Sequence, residues 1–383
     1  MARFYEFFAG GGMARAGLGK DWRCLFANDF DAKKAASYAA NWGSEDLLIA
    51  DIAQVTTADL PVEADLAWAS FPCQDLSLAG AGAGLNGERS GTFWPFWALM
   101  RQLKIEARAP RLIVLENVCG ALHSHEGKDF AAIGRALSSE GYGFGAVVID
   151  AADFLPQSRP RLFIIGVQDG TPIPGQLILS GPDQQWHPPR LVKAYEKLSA
   201  EASGKWIWWN LPSPGERKNR LADLIEDNPT GVKWHTPEET RRLLNMMSDV
   251  NRRKVDMAKQ AGMRMIGGIY KRTRLNELGQ KAQRAEVRFD DLAGCLRTPA
   301  GGSSRQSILV VEGDNVRSRL LSPREAARLM GLPDEYKLPE NYNEAYHLAG
   351  DGVAAPVVRF LAANILEPLL NQRAEHSEEF AAA

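Results

Sequence analysis

The chain has 383 residues, 45% of them hydrophobic and 24% charged, enough for one large core plus a smaller companion and too ordinary for a disordered protein. A net charge of −2 and a pI near 6.4 give no global signature of a polyanion binder. Four scattered cysteines (Cys24, Cys73, Cys119, Cys295) without a CxxC pair argue against a zinc site or disulfide framework and fit a reducing cytoplasm. The chain shows no basic leader with an apolar run, and its apolar stretches read as shorter than the roughly 18 to 20 residues of a membrane span.

Through the first 170 residues short apolar runs alternate with helix-like stretches, the pattern of a parallel sheet covered by helices. Residues 4–8 read as the first buried strand. Phe7-Phe8-Ala9-Gly10-Gly11-Gly12-Met13 then turns into a helix, with glycines that let a ligand approach the backbone. Residues 24–28 form the second strand. Asp29 at its end lies about 20 residues beyond the turn, where a ribose hydroxyl acceptor belongs, and Phe30 is placed to stack on an adenine. A helix over 31–41 follows, then Asp51-Ile52 at a third strand end, suited to reading an adenine amino group. Together these indicate an adenosine-containing cofactor without choosing which. The strand at 66–71 ends in Pro72-Cys73-Gln74, and the glycine-rich stretch 79–87 after it suits a mobile lid. A helix over 92–106, a strand at 112–115 ending in Glu116-Asn117, a helix over 128–140 and a strand at 162–167 complete the pattern. Ligands bind beyond the carboxyl ends of such strands, and four of these ends carry useful chemistry.

After Asp169 the texture changes. Residues 170–317 are rich in Pro, Gly, Trp and basic groups, with one clear helix at 237–260. Between Arg264 and Arg328 stand 13 Lys or Arg against 7 Asp or Glu, a local excess that the overall charge hides. Trp206, Trp208 and Trp209 read as core. Ser322-Pro323-Arg324-Glu325 is a good helix start, and an apolar helix over 353–370 returns to the first domain. The fold class is therefore α/β: a doubly wound, mostly parallel Rossmann-like sheet with a second, smaller, irregular domain. The boundaries fall at 1–180 for the first domain, 181–317 for the second, 318–372 for the returning segment and 373–383 for a frayed tail.

A cysteine set by a rigid Pro just past a buried strand is poised rather than packed. Glu116 brings a carboxyl to the neighbouring strand end, and Gln157-Ser158-Arg159-Pro160-Arg161 adds two guanidiniums. A thiol, a carboxyl and an Arg pair suit covalent chemistry on a polar heterocycle. With these motifs in view, the chain resembles the DNA (cytosine-5)-methyltransferase family of prokaryotic and phage type. Pro-Cys-Gln, Glu-Asn-Val, Gln-x-Arg-x-Arg and the late Ser322–Asp334 helix motif stand in the family order.

The resemblance implies S-adenosylmethionine as cofactor, no metal, and double-stranded DNA as partner, with base flipping. In this reading Cys73 adds to cytosine C6, Glu116 holds the N3 and N4 edge, Arg159 the O2 side, and Arg161 positions the Cys73 region. Phe8, Gly10, Gly12, Asp29, Phe30, Asp51, Ile52, Pro72, Phe93 and the late Asp351-Gly352-Val353 are expected to bind the cofactor. Gln74, Arg272, Arg274, Arg297, Ser303, Arg305 and Gln306 are expected at DNA, with Arg284 and Arg288 adding backbone contacts; the second domain becomes the target-recognition domain. A monomer in the cytoplasm, near the nucleoid, is expected, with a cognate restriction endonuclease acting separately. Three departures stand out: Glu6 where the family often has Asp, Met13 for a glycine, and Asp351 where it has Asn. A tRNA cytosine-5 methyltransferase shares the catalytic motifs and stays open. A catalytically silent DNA-binding relative is opposed by retention of every catalytic group. A nicotinamide-dependent oxidoreductase explains the glycine turn and Asp29 but gives Cys73, Glu116, Arg159 and Arg161 no work.

Overall fold

The computed structural model describes residues 1–72, 90–275, 279–297 and 305–371. Cys73, Gln74, the stretch 79–87 and Ser303 lie outside them. The chain folds as two compact units: residues 1–150, 160–214 and from 353 on form the first, and residues 151–159 with 215–352 the second.

In the first unit the strands are β1 (Ala2–Phe7), β2 (Trp22–Asp29), β3 (Leu47–Ile49), β4 (Leu66–Ala69), β5 (Leu112–Val118), β6 (Tyr142–Asp150) and β7 (Pro160–Gln168). They form a seven-stranded sheet in the order β3-β2-β1-β4-β5-β7-β6. Every neighbouring pair is parallel except those made by β7, which runs against β5 and β6. The central strand β4, Leu-Ala-Trp-Ala, is buried throughout, as a strand covered on both faces must be. Helices α1 (Met13–Leu18), α2 (Ala32–Trp42), α3 (Phe93–Ile105) and α4 (Lys128–Ser139) flank the sheet. Tyr5, Phe7, Phe26, Phe93, Phe96 and Trp97 share one continuous core. A register shift between Phe4 and Tyr5 lets Cys24 pair with Phe4 while Phe26 pairs with Tyr5, so Cys24 and Phe26 serve opposite faces.

The composition shift near Asp169 is not a domain boundary. Residues up to 214 stay with the first unit because they cover its edge strand: Phe144 and Val148 of β6 bond the carbonyls of Lys205 and Trp186, and Ile207 bonds back to Phe144. An exposed edge is thereby closed. Gly145 permits the approach, since a Cβ there would lie 1.9 Å from the Ile207 carbonyl oxygen. This stretch holds a short antiparallel pair, β8 (Ile178–Leu179) with β9 (Trp208–Trp209), and helices α5 (Pro189–Tyr195) and α6 (Ala200–Gly204). Trp206 packs edge-on against Phe144 at 5.3 Å, and Trp209 is fully buried.

The second unit is ordered where the sequence reads as irregular. It contains α7 (Leu221–Leu224), α8 (Pro237–Asn245), α9 (Asp249–Gln260), β10 (Met265–Leu275), β11 (Lys281–Arg288), β12 (Ser307–Glu312), β13 (Asn315–Leu320), α10 (Pro323–Arg328) and α11 (Tyr342–Asp351). The strands form an antiparallel sheet in the order β11-β10-β12-β13. The expected single helix over 237–260 is two, because Met246–Ser248 breaks it, and Thr236 with Glu239 closes a capping box on α8. Residues 318–352 belong here rather than with the returning segment. Arg319 of β13 and Glu325 of α10, both wholly buried, form an ion pair at 2.6 Å that ties the late helix motif to the sheet.

The chain rejoins the first unit at Val353. Helix α12 (Ala355–Leu361) packs on α1 so closely that a Cβ at Gly17 would meet Val358 at 2.4 Å. One expectation is corrected here: Tyr342–Asn371 is long and apolar enough to cross a membrane by length and composition, though 56% of its most apolar window is buried in the fold.

Candidate active site

The carboxyl ends of β1, β2 and β4 carry the glycine turn and its neighbours. Phe8, just past β1, takes φ 57°, a left-handed backbone that a bulky residue rarely adopts. The Gly12 N–H closes a tight turn on the Ala9 carbonyl at 2.7 Å. A Cβ at Gly12 would lie 2.4 Å from Trp42 Nε1, and the same indole donates to the Gly11 carbonyl at 3.0 Å. Gly10 instead has open space where its Cβ would be. Asp29 accepts the N–H of Gly10 at 2.8 Å and that of Asp31 at 2.9 Å. Burial raises its pKa, opposed by those bonds and by Lys34.

Beside this turn Phe30 is 70% exposed, unusual for so large an apolar ring. Asp51 caps the turn Ile52–Gln54 through the Ala53 N–H at 2.9 Å, and Ile52 is buried. Asn28 holds this stretch against β2 by donating to the carbonyls of Leu48 and Ala50. Phe93 is buried, stacked on Trp97 at 5.9 Å and close to Phe71. Pro72 is half-buried. An open glycine backbone, a free aromatic face and a buried carboxylate suit a nucleoside-bearing ligand.

At the next strand ends stands a carboxyl–guanidinium pair. Glu116, 6% exposed, receives Arg161 Nε at 3.1 Å. Antiparallel β7 makes this possible by pairing Arg161 with Val118, which puts its side chain diagonal to Glu116. Asn117, buried next door, donates to the Phe71 carbonyl at 3.2 Å and so fixes the chain two residues before Cys73. Sequence reasoning gave Asn117 no role; its place in Glu-Asn-Val was the available signal. Burial pushes the Cys24 thiol up to about 12 and raises that of Cys119, so neither is an activated thiolate.

The second unit holds the remaining expected residues. Arg159 is buried, with its guanidinium on the carbonyls of Gly350 (2.8 Å), Gly352 (2.6 Å) and Leu296 (3.3 Å). It thus fixes the ends of the Asp351-Gly352 segment; Asp351 itself is exposed, and Val353 is buried in the first unit. Gln306, expected to reach DNA, is instead buried, spending its carboxamide on the Ile269 and Ser307 carbonyls. Arg305 bonds Asn343 and lies over the Tyr342 ring, and Arg297 is exposed. Arg272 faces Arg284 directly across the β10–β11 ribbon, both exposed, while Arg274 follows in β10. Arg288 pairs with Asp290.

The family description for C-5 cytosine-specific DNA methylases matches residues 2–367. The chain belongs to that family. Among its relatives, the Type II methyltransferase M.HaeII of Haemophilus aegyptius is 26% identical over 95% of this chain and 92% of its own length. M.NlaX of Neisseria lactamica is 25% identical over 94% of this chain and 95% of its own length. Of solved structures, S. pombe Dnmt2 methyltransferase superposes with a TM-score of 0.58 at 17% identity, covering 96% of this chain and 99% of that one. A putative DNA modification methyltransferase from an E. coli prophage gives 0.56 at 16% identity, covering 97% and 99%. The two structural likenesses concern the fold alone. As a C-5 cytosine-specific DNA methylase, the chain brings the Glu116–Arg161 pair to the strand ends beside the segment that leads into Cys73.

Proposed function

We propose that the chain is an S-adenosylmethionine-dependent DNA (cytosine-5)-methyltransferase acting on a flipped-out cytosine of a specific duplex sequence through a covalent bond from Cys73 to C6. The observation that carries this reading is the pair of buried Glu116 and half-buried Arg161, 3.1 Å apart, next to the Asn117-held chain before Cys73. Cytosine C5 is too weak a nucleophile to take a methyl group unaided. Addition of the Cys73 thiolate to C6 turns the ring into an enamine whose C5 carries the electron pair. Glu116 shares a proton with N3 and accepts from the N4 amino group as charge builds. The two arginines exchange the roles expected of them: Arg161, held against Glu116, is the guanidinium suited to the O2 side, and Arg159, buried on the carbonyls of Gly350 and Gly352, acts as a positioning residue.

S-adenosylmethionine supplies an electrophilic methyl group on a sulfonium. Gly10, Gly12, Asp29, Phe30, Asp51 and Phe93 are the residues to hold it, supported by the open space over Gly10 and the exposed Phe30 ring. After C5 gains the methyl group, a base removes the C5 proton and the Cys73–C6 bond breaks, restoring both the aromatic ring and the thiolate. Extruding the base from a duplex costs a few kcal/mol, which contacts from the basic β10–β11 ribbon help to offset. The Type II names of the relatives support a place in restriction-modification; a monomer in the cytoplasm, with a separate endonuclease, completes the proposal.

Bisulfite sequencing of plasmid DNA from a host lacking cytosine methylation tests this. Protection of one recurrent sequence by the wild type, absent with Cys73→Ala, is the expected result. Soluble protein that protects no DNA but methylates tRNA would overturn the DNA assignment.

A further inference from the structure

The glycine turn is held by three side chains, and one of them is an acid in an unusual position. Asp29 takes the Gly10 N–H and Trp42 donates to the Gly11 carbonyl. The third is Glu6 of β1. Gly12 is the N-cap of α1 and has no side chain to offer the helix. Glu6 reaches over from the sheet instead: its Oε1 accepts the Arg15 N–H, at the third helical position, at 3.3 Å. Its other oxygen, Oε2, is buried and has no partner among the described residues, in a side chain 1% exposed. Around it stand Arg15 of α1, Asp29 and Cys24 of β2, and Tyr38 of α2. The Arg15 guanidinium donates to Tyr38 at 2.8 Å, lies over the Trp42 ring at 5.2 Å and near Asp46 at 3.8 Å, and its charge also favours the Glu6 carboxylate. Glu6, Arg15 and Trp42 therefore link the helix that leaves the turn to the indole that packs under it.

Resting on the cofactor reading above, we propose that Glu6 is a positioning residue for cofactor binding, a cap borrowed from β1 that fixes the glycine turn and exchanges its proton when a cationic cofactor binds there. The buried carboxyl with one unpartnered oxygen is costly to ionise, and burial, partly countered by Arg15, lifts its pKa to about 8. Near neutral pH it is mostly a neutral acid. A sulfonium brought to the turn favours the carboxylate, so binding releases part of a proton from Glu6, and binding tightens as pH rises through this range. Because the group acts through the turn and not on the reacting atoms, its loss raises KM for the cofactor more than it lowers kcat.

Calorimetric titration of the full chain with S-adenosylmethionine, at pH 7.5 in phosphate and in Tris, reads the proton directly through the buffers' different ionisation heats. The cofactor's own amino group contributes to both proteins alike, so the difference between wild type and Glu6→Gln isolates Glu6. The expected result is lower proton release in Glu6→Gln, which keeps an acceptor for the Arg15 N–H but cannot ionise. Glu6→Ala, which removes the cap, should bind about five- to ten-fold more weakly. Equal proton release in wild type and Glu6→Gln, or wild-type affinity in Glu6→Ala, overturns this proposal alone. Failure of folded wild type to bind S-adenosylmethionine at all overturns the cofactor reading and the proposal together.

Discussion

Glu116 and Arg161 form a pair whose removal should act on the chemical step. Glu116→Gln keeps the shape but cannot give a proton to N3, and kcat at saturating DNA and cofactor should fall by about 10²- to 10⁴-fold, with KM little changed. Wild-type turnover in that variant would remove Glu116 from the mechanism. Asp351 makes a contrasting case. It is exposed, between two glycines whose carbonyls Arg159 holds, so Asp351→Asn should be tolerated and alter cofactor affinity more than turnover. A large loss of turnover at saturating cofactor contradicts that. Both carboxyls were visible in the sequence from motif and strand-end position. The partner of Glu116 was not: the sequence offers two arginines on either side of Pro160, and only the strand pairing of β7 shows that Arg161 meets Glu116 while Arg159 turns to other carbonyls. Gln306 was misread because a glutamine beside glycines looks like a loop residue, whereas β12 begins next to it and buries it.

Strands of the first unit were legible because β1, β2, β4 and β5 are runs of apolar residues long enough to stand out. β3 is three residues long, and β6 is interrupted by Gly143 and Gly145, so neither shows a clear pattern. The β10–β11 ribbon escaped for another reason: its core-facing residues Ile269, Ala285 and Val287 are few and stand among basic and polar ones, so the period of two is faint in the sequence. That composition has a functional reading. Like charges directly opposite on a ladder destabilise it; Arg272, facing Arg284, is offset by Glu286 at 3.3 Å, while in the proposed reading both guanidiniums meet DNA phosphate. Arg272→Ala with Arg284→Ala should weaken DNA binding similarly across sequences and lower the salt dependence of log K by about 1 per arginine lost. An unchanged salt slope would take the ribbon off the DNA. At the sheet edge, Gly145→Ala should cost about 1–3 kcal/mol in a denaturant melt, since its Cβ would strike the Ile207 carbonyl; native stability would show that the covering segment yields.

For the molecule as a whole, stability should vary with pH through the buried acid of β1. Glu6 has a folded pKa of about 8 against an ordinary 4.5, so its contribution is complete below about 4.5 and is lost as pH rises through 8. Asp29, also raised by burial, acts in the same direction. Glu6→Gln should therefore flatten the fall in Tm between pH 5 and 9, and an unchanged slope would show that Glu6 ionises normally in the fold. The units differ in what holds them: the first by an aromatic core, the second by a smaller core with the buried Arg319–Glu325 pair at its edge. These features belong to the scaffold, while the chemistry turns on one bond, from Cys73 to cytosine C6. The most direct test of it is to incubate the protein and S-adenosylmethionine with duplex DNA of its target sequence carrying 5-fluorocytosine, whose fluorine cannot leave as a proton does. The expected result is a denaturation-resistant protein–DNA adduct that digestion and mass spectrometry assign to Cys73, and that Cys73→Ser fails to form. Methylated DNA with no such adduct, or an adduct at another residue, would contradict it.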